Sequence, residues 1–381
     1  MKSRSLDVAI VGAGLIGLAT AFELAQRGAN VRVCDYAEPG RAASWAGAGM
    51  LAPHTEHLED EAMLALCERS LERYPGFCER VSAASGVDPQ LHLEGIVHAA
   101  FDAERLDALH RRSAQLQARG VDCRLLERRA IVALEPWLGA AVRGGLLVSG
   151  EGHVDNRRLG RALVAGCQAL GVRVVQTGEL HVECDARRVL GIRTDVGFTA
   201  VDAVVNACGA WASQLSGIPS TARPPVFAVK GQMLALEVPV GFVRHPTWLP
   251  AAYVVPRDDG RLLVGATAEP DQFDTRVTAS GLRHLLDAAL LHAPSLGEFT
   301  VSETWAGIRP GTSDGKPFLG STSVEGLFVA TGHYRNGILL APATAWLIAE
   351  SIEGRNPPEL AAFSLARVER KPLPRGEMTC S

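Results

Sequence analysis

The sequence has no C-x-x-C pair, no long basic stripe and no apolar run of membrane-spanning length. Its 8 cysteines are scattered, at positions 34, 67, 78, 123, 167, 184, 208 and 380. Such scatter argues against structural zinc and against a redox dithiol, so no metal is expected. It fits small buried thiols in a reducing cytoplasm. The formal net charge is -4, and Arg111-Arg112 and Arg128-Arg129 are short basic clusters. They read as solvated faces, which excludes nucleic acid as a partner. The apolar stretch from Val8 to Leu24 is too short for a signal peptide or membrane span and is explained by a strand followed by a helix. A chain of 381 residues is long for a single core and points to two domains.

What is present starts at the N-terminus. Val8-Ala9-Ile10-Val11 reads as a buried strand, Gly12-Ala13-Gly14-Leu15-Ile16-Gly17 as a G-x-G-x-x-G turn, and the residues to about Arg27 as a helix. A second strand, Asn30 to Val33, leads to Asp35. This order is that of a dinucleotide site. Gly12 permits the tight turn, Gly14 lets backbone approach a pyrophosphate, and Gly17 lets helix and strand pack closely. The helix start offers unpaired N–H groups to phosphate, and Asp35 is placed to accept from ribose hydroxyls. Asp35 does not choose between NAD and FAD.

The run Arg41 to Pro53 is rich in small residues, including Ser44, Ala48, Gly49 and Met50. Such a run can lie flat against a planar ligand, with Ser44 capping a short helix whose amides face phosphate. Further on, the pattern predicts helices over His57–Tyr74, with Pro75 starting a new turn, and over Asp102–Arg119. It predicts strands over Leu91–Ala99 and Gly144–Val148. Asp155 is an N-cap, followed by a helix to Gly171, a strand at Val172–Val175, a β-ribbon over Leu180–Arg193 and a strand over Phe198–Val205. From about Thr221 to Phe299 the grammar turns antiparallel: a strand over Val226–Val238, a hairpin joining Tyr253–Pro256 to Arg261–Gly265, and a helix through Leu290. A last strand, Leu327–Ala330, runs into Gly332-His333-Tyr334-Arg335-Asn336-Gly337-Ile338-Leu339, read as the head of a helix reaching about Glu350.

The fold class is therefore α/β. A dinucleotide-binding, Rossmann-like part is assembled from 1–85, 146–220 and 300–370. A second, α+β substrate part on a mainly antiparallel sheet takes 86–145 and 221–299. Residues 371–381 read as a flexible tail.

Six stretches carry a resemblance: the N-terminal glycine turn, Ala46–Ala52, Val205–Trp211, Tyr253–Arg257 with Val264–Thr267, Trp305–Thr312 and Gly332–Pro342. Together they resemble the flavin-dependent D-amino-acid oxidase superfamily, and within it the glycine oxidase family of thiamine biosynthesis. The resemblance implies noncovalent FAD and oxidation of glycine and small amines (sarcosine, D-alanine) to the imine by hydride transfer to flavin N5. Oxygen then becomes hydrogen peroxide. The imine feeds a thiazole ring or hydrolyses to glyoxylate and ammonia. It implies a homo-oligomer, often a homotetramer, in the cytoplasm and without membrane attachment. It implies that Arg309 clamps the substrate carboxylate, that Tyr253 touches the same group, and that Arg335 supports the pocket. His333 is read as packing against the flavin rather than as a base. Cofactor contacts are implied for Val174, Ala207, Gly209, Trp211, Gly307, Tyr334, Asn336, Gly337, Ile338 and Leu339. Ala251 and Ala268 replace larger pocket residues of relatives, which leaves substrate preference open. Three rival readings stand beside this one: a D-amino-acid or imino-acid dehydrogenase passing electrons to a quinone or carrier, an NAD enzyme, and a noncatalytic flavoprotein.

Overall fold

The computed structural model describes residues 5–56, 60–185 and 187–367. The tail expected over 371–381, and the start of the helix expected from His57, lie outside them.

The strand Asp7–Val11 is the centre of a six-stranded sheet. Across the sheet run Phe318–Ser321, Leu327–Thr331, Ala203–Asn206, Asp7–Val11, Asn30–Asp35 and Arg173–Gln176. The five pairings are parallel except the first, between Phe318–Ser321 and its neighbour. Both faces are covered, which is why the central strand is apolar without alternation. Val8 and Ile10 pack towards the helices Leu15–Gln26, Glu61–Ser85, Asn156–Ala169 and Ala341–Ile352. Ala9 and Val11 pack on the opposite face towards the ribbon Leu180–Cys184, Val189–Thr194, Gly197–Ala200. Successive residues of one strand thus serve two cores.

A nine-stranded sheet carries the rest. Its longest strand, Phe227–Glu237, pairs antiparallel with Arg261–Gly265 on one side and Val301–Gly311 on the other. The expected hairpin forms, with Tyr253–Pro256 against Arg261–Gly265. Val301–Gly311, expected with the cofactor part, hydrogen-bonds along Phe227–Glu237 and so belongs to this sheet. Gly144–Val148 pairs between Ile96–Ala100 and Cys123–Glu127 in the same sheet. A small sheet of Met50–Leu51, Gly152–Val154 and Leu91–His92 lies where the two meet.

Asp155 caps its helix as expected, accepting from Arg157 N and Arg158 N at 2.9 Å each. Four expectations shift. Pro75 sits inside a continuous helix, Glu61–Ser85, held by buried Tyr74, Phe77 and Val81. The strand expected over Leu91–Ala99 breaks at Gly95, whose φ of 123° turns the chain. The strand expected over Phe198–Val205 turns a corner and splits between two sheets. The last helix begins at Ala341 with Pro342 in its first turn, so Gly337, Ile338 and Leu339 lie in the turn before it. No helix among the described residues is long and apolar enough to cross a membrane.

Candidate active site

The glycine turn and the antiparallel sheet face each other across one cavity of about 640 Å³. At one end, Gly12 turns with φ 109°, and a Cβ there would stand 2.3 Å from Ala207 O. A Cβ on Gly17 would stand 1.9 Å from Gly12 O, so this glycine packs helix against turn and does not line the cavity. Gly14 is the N-cap of Leu15–Gln26 and has no side-chain cap, and a Cβ there would meet only Ala42 Cβ, at 4.0 Å. The helix start is thus open to an anion, as a pyrophosphate needs. Asp35 lines the same end, its carboxylate accepting from Ala13 N at 2.6 Å and Ala37 N at 2.9 Å.

The small-residue run forms one wall, with Ser44, Ala46, Gly47, Ala48, Gly49 and Met50 among its lining. Ser44 lies inside the short helix Ala43–Ala46 rather than capping it, and its Oγ accepts from Leu15 N at 3.3 Å. The carbonyls of this wall are held from behind. Asn156 Nδ2 donates to Ser44 O at 2.6 Å, Trp305 Nε1 to Ala46 O at 2.9 Å, and Arg257 Nη2 to Ala48 O at 2.7 Å. Burial pulls Arg257 down to about 10, opposed by Asp155. A Cβ on Gly307 would fall 2.3 Å from Ala46 Cβ, so strand and wall touch only because both residues are small.

At the other end Arg309, Tyr253 and Arg335 line the cavity together. Arg309 Nη1 donates to Thr267 O at 3.0 Å. Burial raises the Tyr253 phenol, against the pull of Arg309 and Arg335. Burial lowers Arg335, but Glu56 and Tyr334 more than offset it and hold the guanidinium above its ordinary value. The turn after Thr331 is fixed tightly. Tyr334 has φ 48°, its N–H donates to Pro310 O at 3.0 Å, and Tyr74 Oη and Ser70 Oγ donate to Ile338 O and Leu339 O at 2.8 and 2.6 Å. His333 lines the cavity, and its Nε2 meets Thr344 Oγ1 at 3.1 Å. Burial pushes this imidazole down to about 3, so it stays neutral.

Of the expected contact residues, Gly12, Gly14, Leu15, Ile16, Asp35, Ser44, Ala48, Gly49, Met50, Ala207, Gly209, Trp211, Gly307, His333, Tyr334, Arg335, Gly337 and Ile338 line the cavity with Arg309 and Tyr253. Gly17, Val174, Asn336 and Leu339 do not. Val174 and Leu339 pack into the helical core, and Asn336 closes its turn, its N–H donating to His333 O and its carbonyl accepting from Leu340 N. Cys208 has a thiol raised by burial and donates to Val11 O at 3.4 Å, which suits packing rather than attack. Sequence reasoning missed Glu56, Gly231, Met233, Trp248 and Thr275. Only Gly231 had a signal, because an isolated glycine inside a strand marks a close approach.

The arrangement offers a dinucleotide cradle at one end and a cationic, aromatic-walled pocket at the other. It can hold FAD along the glycine turn and small-residue wall, with a small carboxylate at Arg309. Residues 7–351 match the family model DAO, FAD dependent oxidoreductase. A bifunctional ThiO/ThiG protein of Synechocystis is 39% identical over 374 residues, covering 95% of this chain and 54% of that one. The chain thus spans about half the length of the first curated relatives it matches. The glycine oxidase of Geobacillus kaustophilus is 36% identical over 366 residues, covering 95% of this chain and 97% of that one. The crystal structure of a glycine oxidase from the same organism matches with a TM-score of 0.89 at 35% identity, covering 96% of this chain and 100% of that one.

Proposed function

The chain belongs to the DAO family of FAD-dependent oxidoreductases, and from that premise we propose that it is a glycine oxidase. Its substrates are glycine and small primary or secondary amines such as sarcosine and D-alanine. Its products are the imine and hydrogen peroxide. The imine of glycine enters a thiazole ring of thiamine or hydrolyses to glyoxylate and ammonia, and that of sarcosine hydrolyses to glyoxylate and methylamine. FAD held along the glycine turn and the small-residue wall would supply the two-electron acceptor for this oxidation, with oxygen as the final oxidant.

The observation that supports this reading is the placement of Arg309 in the same cavity as the glycine cradle. Glycine has no side chain to orient it, so a fixed fork of donors to its carboxylate is what aligns the carbon. Arg309 takes that role, Tyr253 assists it, and Arg335 supplies supporting charge. His333 is a spectator of the proton transfer, since a group this acidic cannot hold the amine's proton at neutral pH. The six-stranded sheet and its glycine turn hold the cofactor. The large sheet, counted with Val301–Gly311, supplies the substrate side. A cytoplasmic homotetramer is part of the proposal: the resemblance supports the tetramer, and the seven described cysteines being free fits a reducing compartment.

The test is direct. The purified protein is expected to be yellow, to bleach when glycine is added without air, and to release peroxide when air returns. A flavin that glycine does not bleach overturns the substrate assignment. Bleaching without peroxide favours the dehydrogenase.

A further inference from the structure

Glu56 lines the cavity beside Arg309, Arg335 and Tyr253, and nothing in the proposed chemistry uses it. Counted as ions, the two guanidinium groups and one carboxylate at this end of the cavity carry one net positive charge, equal and opposite to the charge of a monocarboxylate. Burial raises the Glu56 carboxyl, while Arg335 and Arg309 act on it in the opposite sense.

Glu56 is placed by its neighbours in the chain. Oε1 of Glu151 accepts from the N–H groups of both His54 and Thr55. Arg112 Nη2 donates to His54 O at 2.8 Å. The His54–Thr55 peptide, one peptide back from Glu56, is therefore gripped on its donor and acceptor sides at once. Glu151 is 1% exposed and sits in the turn between Gly144–Val148 and Gly152–Val154. Arg112 comes from the helix Ala103–Ala118 and turns inward, partly buried, instead of lying on a solvated face. Oε2 of Glu151 and Nε of Arg112 are buried without a hydrogen-bond partner. The field of each group is part of what compensates the other. A buried carboxyl group and guanidinium are costly as packing, yet here both converge on one peptide of a loop at the cavity.

We propose that Glu56 is a specificity-determining carboxylate, set against Arg309 and Arg335 by the Glu151–Arg112 clamp on the His54–Thr55 peptide, that restricts the pocket to ligands bearing one negative charge. This rests on the reading of the cavity as an amino-acid site. A second carboxylate on a ligand meets the Glu56 charge, whereas a monocarboxylate satisfies Arg309 alone. Glu151 and Arg112 are positioning residues, acting only through Glu56.

The probes are acetate and malonate, titrated into the flavin-loaded protein and followed by perturbation of the flavin spectrum. Wild type is expected to prefer acetate. Glu56→Gln is expected to shift the malonate-to-acetate Kd ratio at least about tenfold towards malonate, a change of about 1.4 kcal/mol. Glu151→Ala is expected to shift the ratio in the same direction, and Glu151→Gln, which keeps an acceptor for the two N–H groups, to retain the wild-type ratio. In the double variant Glu56→Gln/Glu151→Ala the ratio is expected to match Glu56→Gln alone. An unchanged ratio in Glu56→Gln overturns the proposal. Additive shifts in the double variant, or a shifted Glu151→Gln, overturn the positioning role. Bleaching of the wild-type flavin by glycine is scored separately. If it succeeds while the ratios do not move, the inference fails and the functional reading stands; if wild type neither bleaches nor binds acetate, both fail.

Discussion

The guanidinium group of Arg309 rests on the bare α-carbon of Gly231. A Cβ on Gly231 would lie 2.4 Å from Nη1 and Nη2 and 2.5 Å from Cζ. The two residues sit on antiparallel neighbours, with Val229 opposite Arg309 in the register. The side chain therefore runs along the sheet and needs the space that a missing side chain leaves.

Gly231→Ala is accordingly expected to displace the arginine without unfolding the sheet. The KM for glycine should rise by at least about tenfold, since losing half of a bidentate contact is worth about 1.5–3 kcal/mol. FAD content should be unchanged. Arg309→Ala should raise it further, and Arg309→Lys should not restore it, because an ammonium cannot form the planar fork. Steady-state kinetics with a flavin-to-protein ratio check all three, and unaltered glycine kinetics in Gly231→Ala contradict the packing argument.

The two cradle glycines are expected to fail differently. Gly12 has φ 109° and no room for a Cβ, whereas Gly14 has space, with Ala42 Cβ 4.0 Å away. Gly12→Ala should therefore lower the melting temperature of the flavin-free protein. Gly14→Val should leave that temperature nearly unchanged and abolish FAD uptake, because the side chain would project where phosphate meets the helix start. Thermal unfolding and flavin titration separate the two. Full FAD retention by Gly14→Val would remove this turn as the phosphate site.

The glycine turn and the place of Arg309 at the cavity were legible because each is written in a contiguous motif. The glycine turn has a fixed spacing, and Arg309 is framed by Trp305, Gly307 and Pro310. Glu151, Arg112, Arg257 and Asn156 were not legible. Each is an ordinary polar residue locally, and its partner lies tens to hundreds of positions away, as Arg257 does from Ala48. The start of the last helix was misplaced for a related reason. Apolar Ile338 and Leu339 continue the helical pattern, but their carbonyls are taken by Tyr74 and Ser70 from another helix. Tertiary donors overrode local propensity there.

His333 is expected to be silent in the pH profile. Burial holds its imidazole at about 3, so the folded protein keeps it neutral while the unfolded chain protonates near 6.5. The stability this neutral form contributes is present above pH 6.5 and is lost as pH falls towards 3. His333→Gln should therefore leave the acid limb of kcat/KM for glycine at the same midpoint. A shifted midpoint would make this histidine a participant in proton transfer.

Glu151 carries the opposite linkage. Burial pushes its carboxyl from 4.5 up to about 8, against the two N–H donors of His54 and Thr55. Between those values the folded chain keeps a proton that the unfolded chain has released. Raising the pH then favours unfolding, by up to about 1.4 kcal/mol per pH unit. Glu151→Gln removes the titration while keeping an acceptor for the loop. The stability difference between wild type and this variant should fall as pH rises through that window and flatten above about pH 8. Chemical denaturation across the range measures it. A difference independent of pH would mean that Glu151 is charged in the fold, with Arg112 compensating it fully.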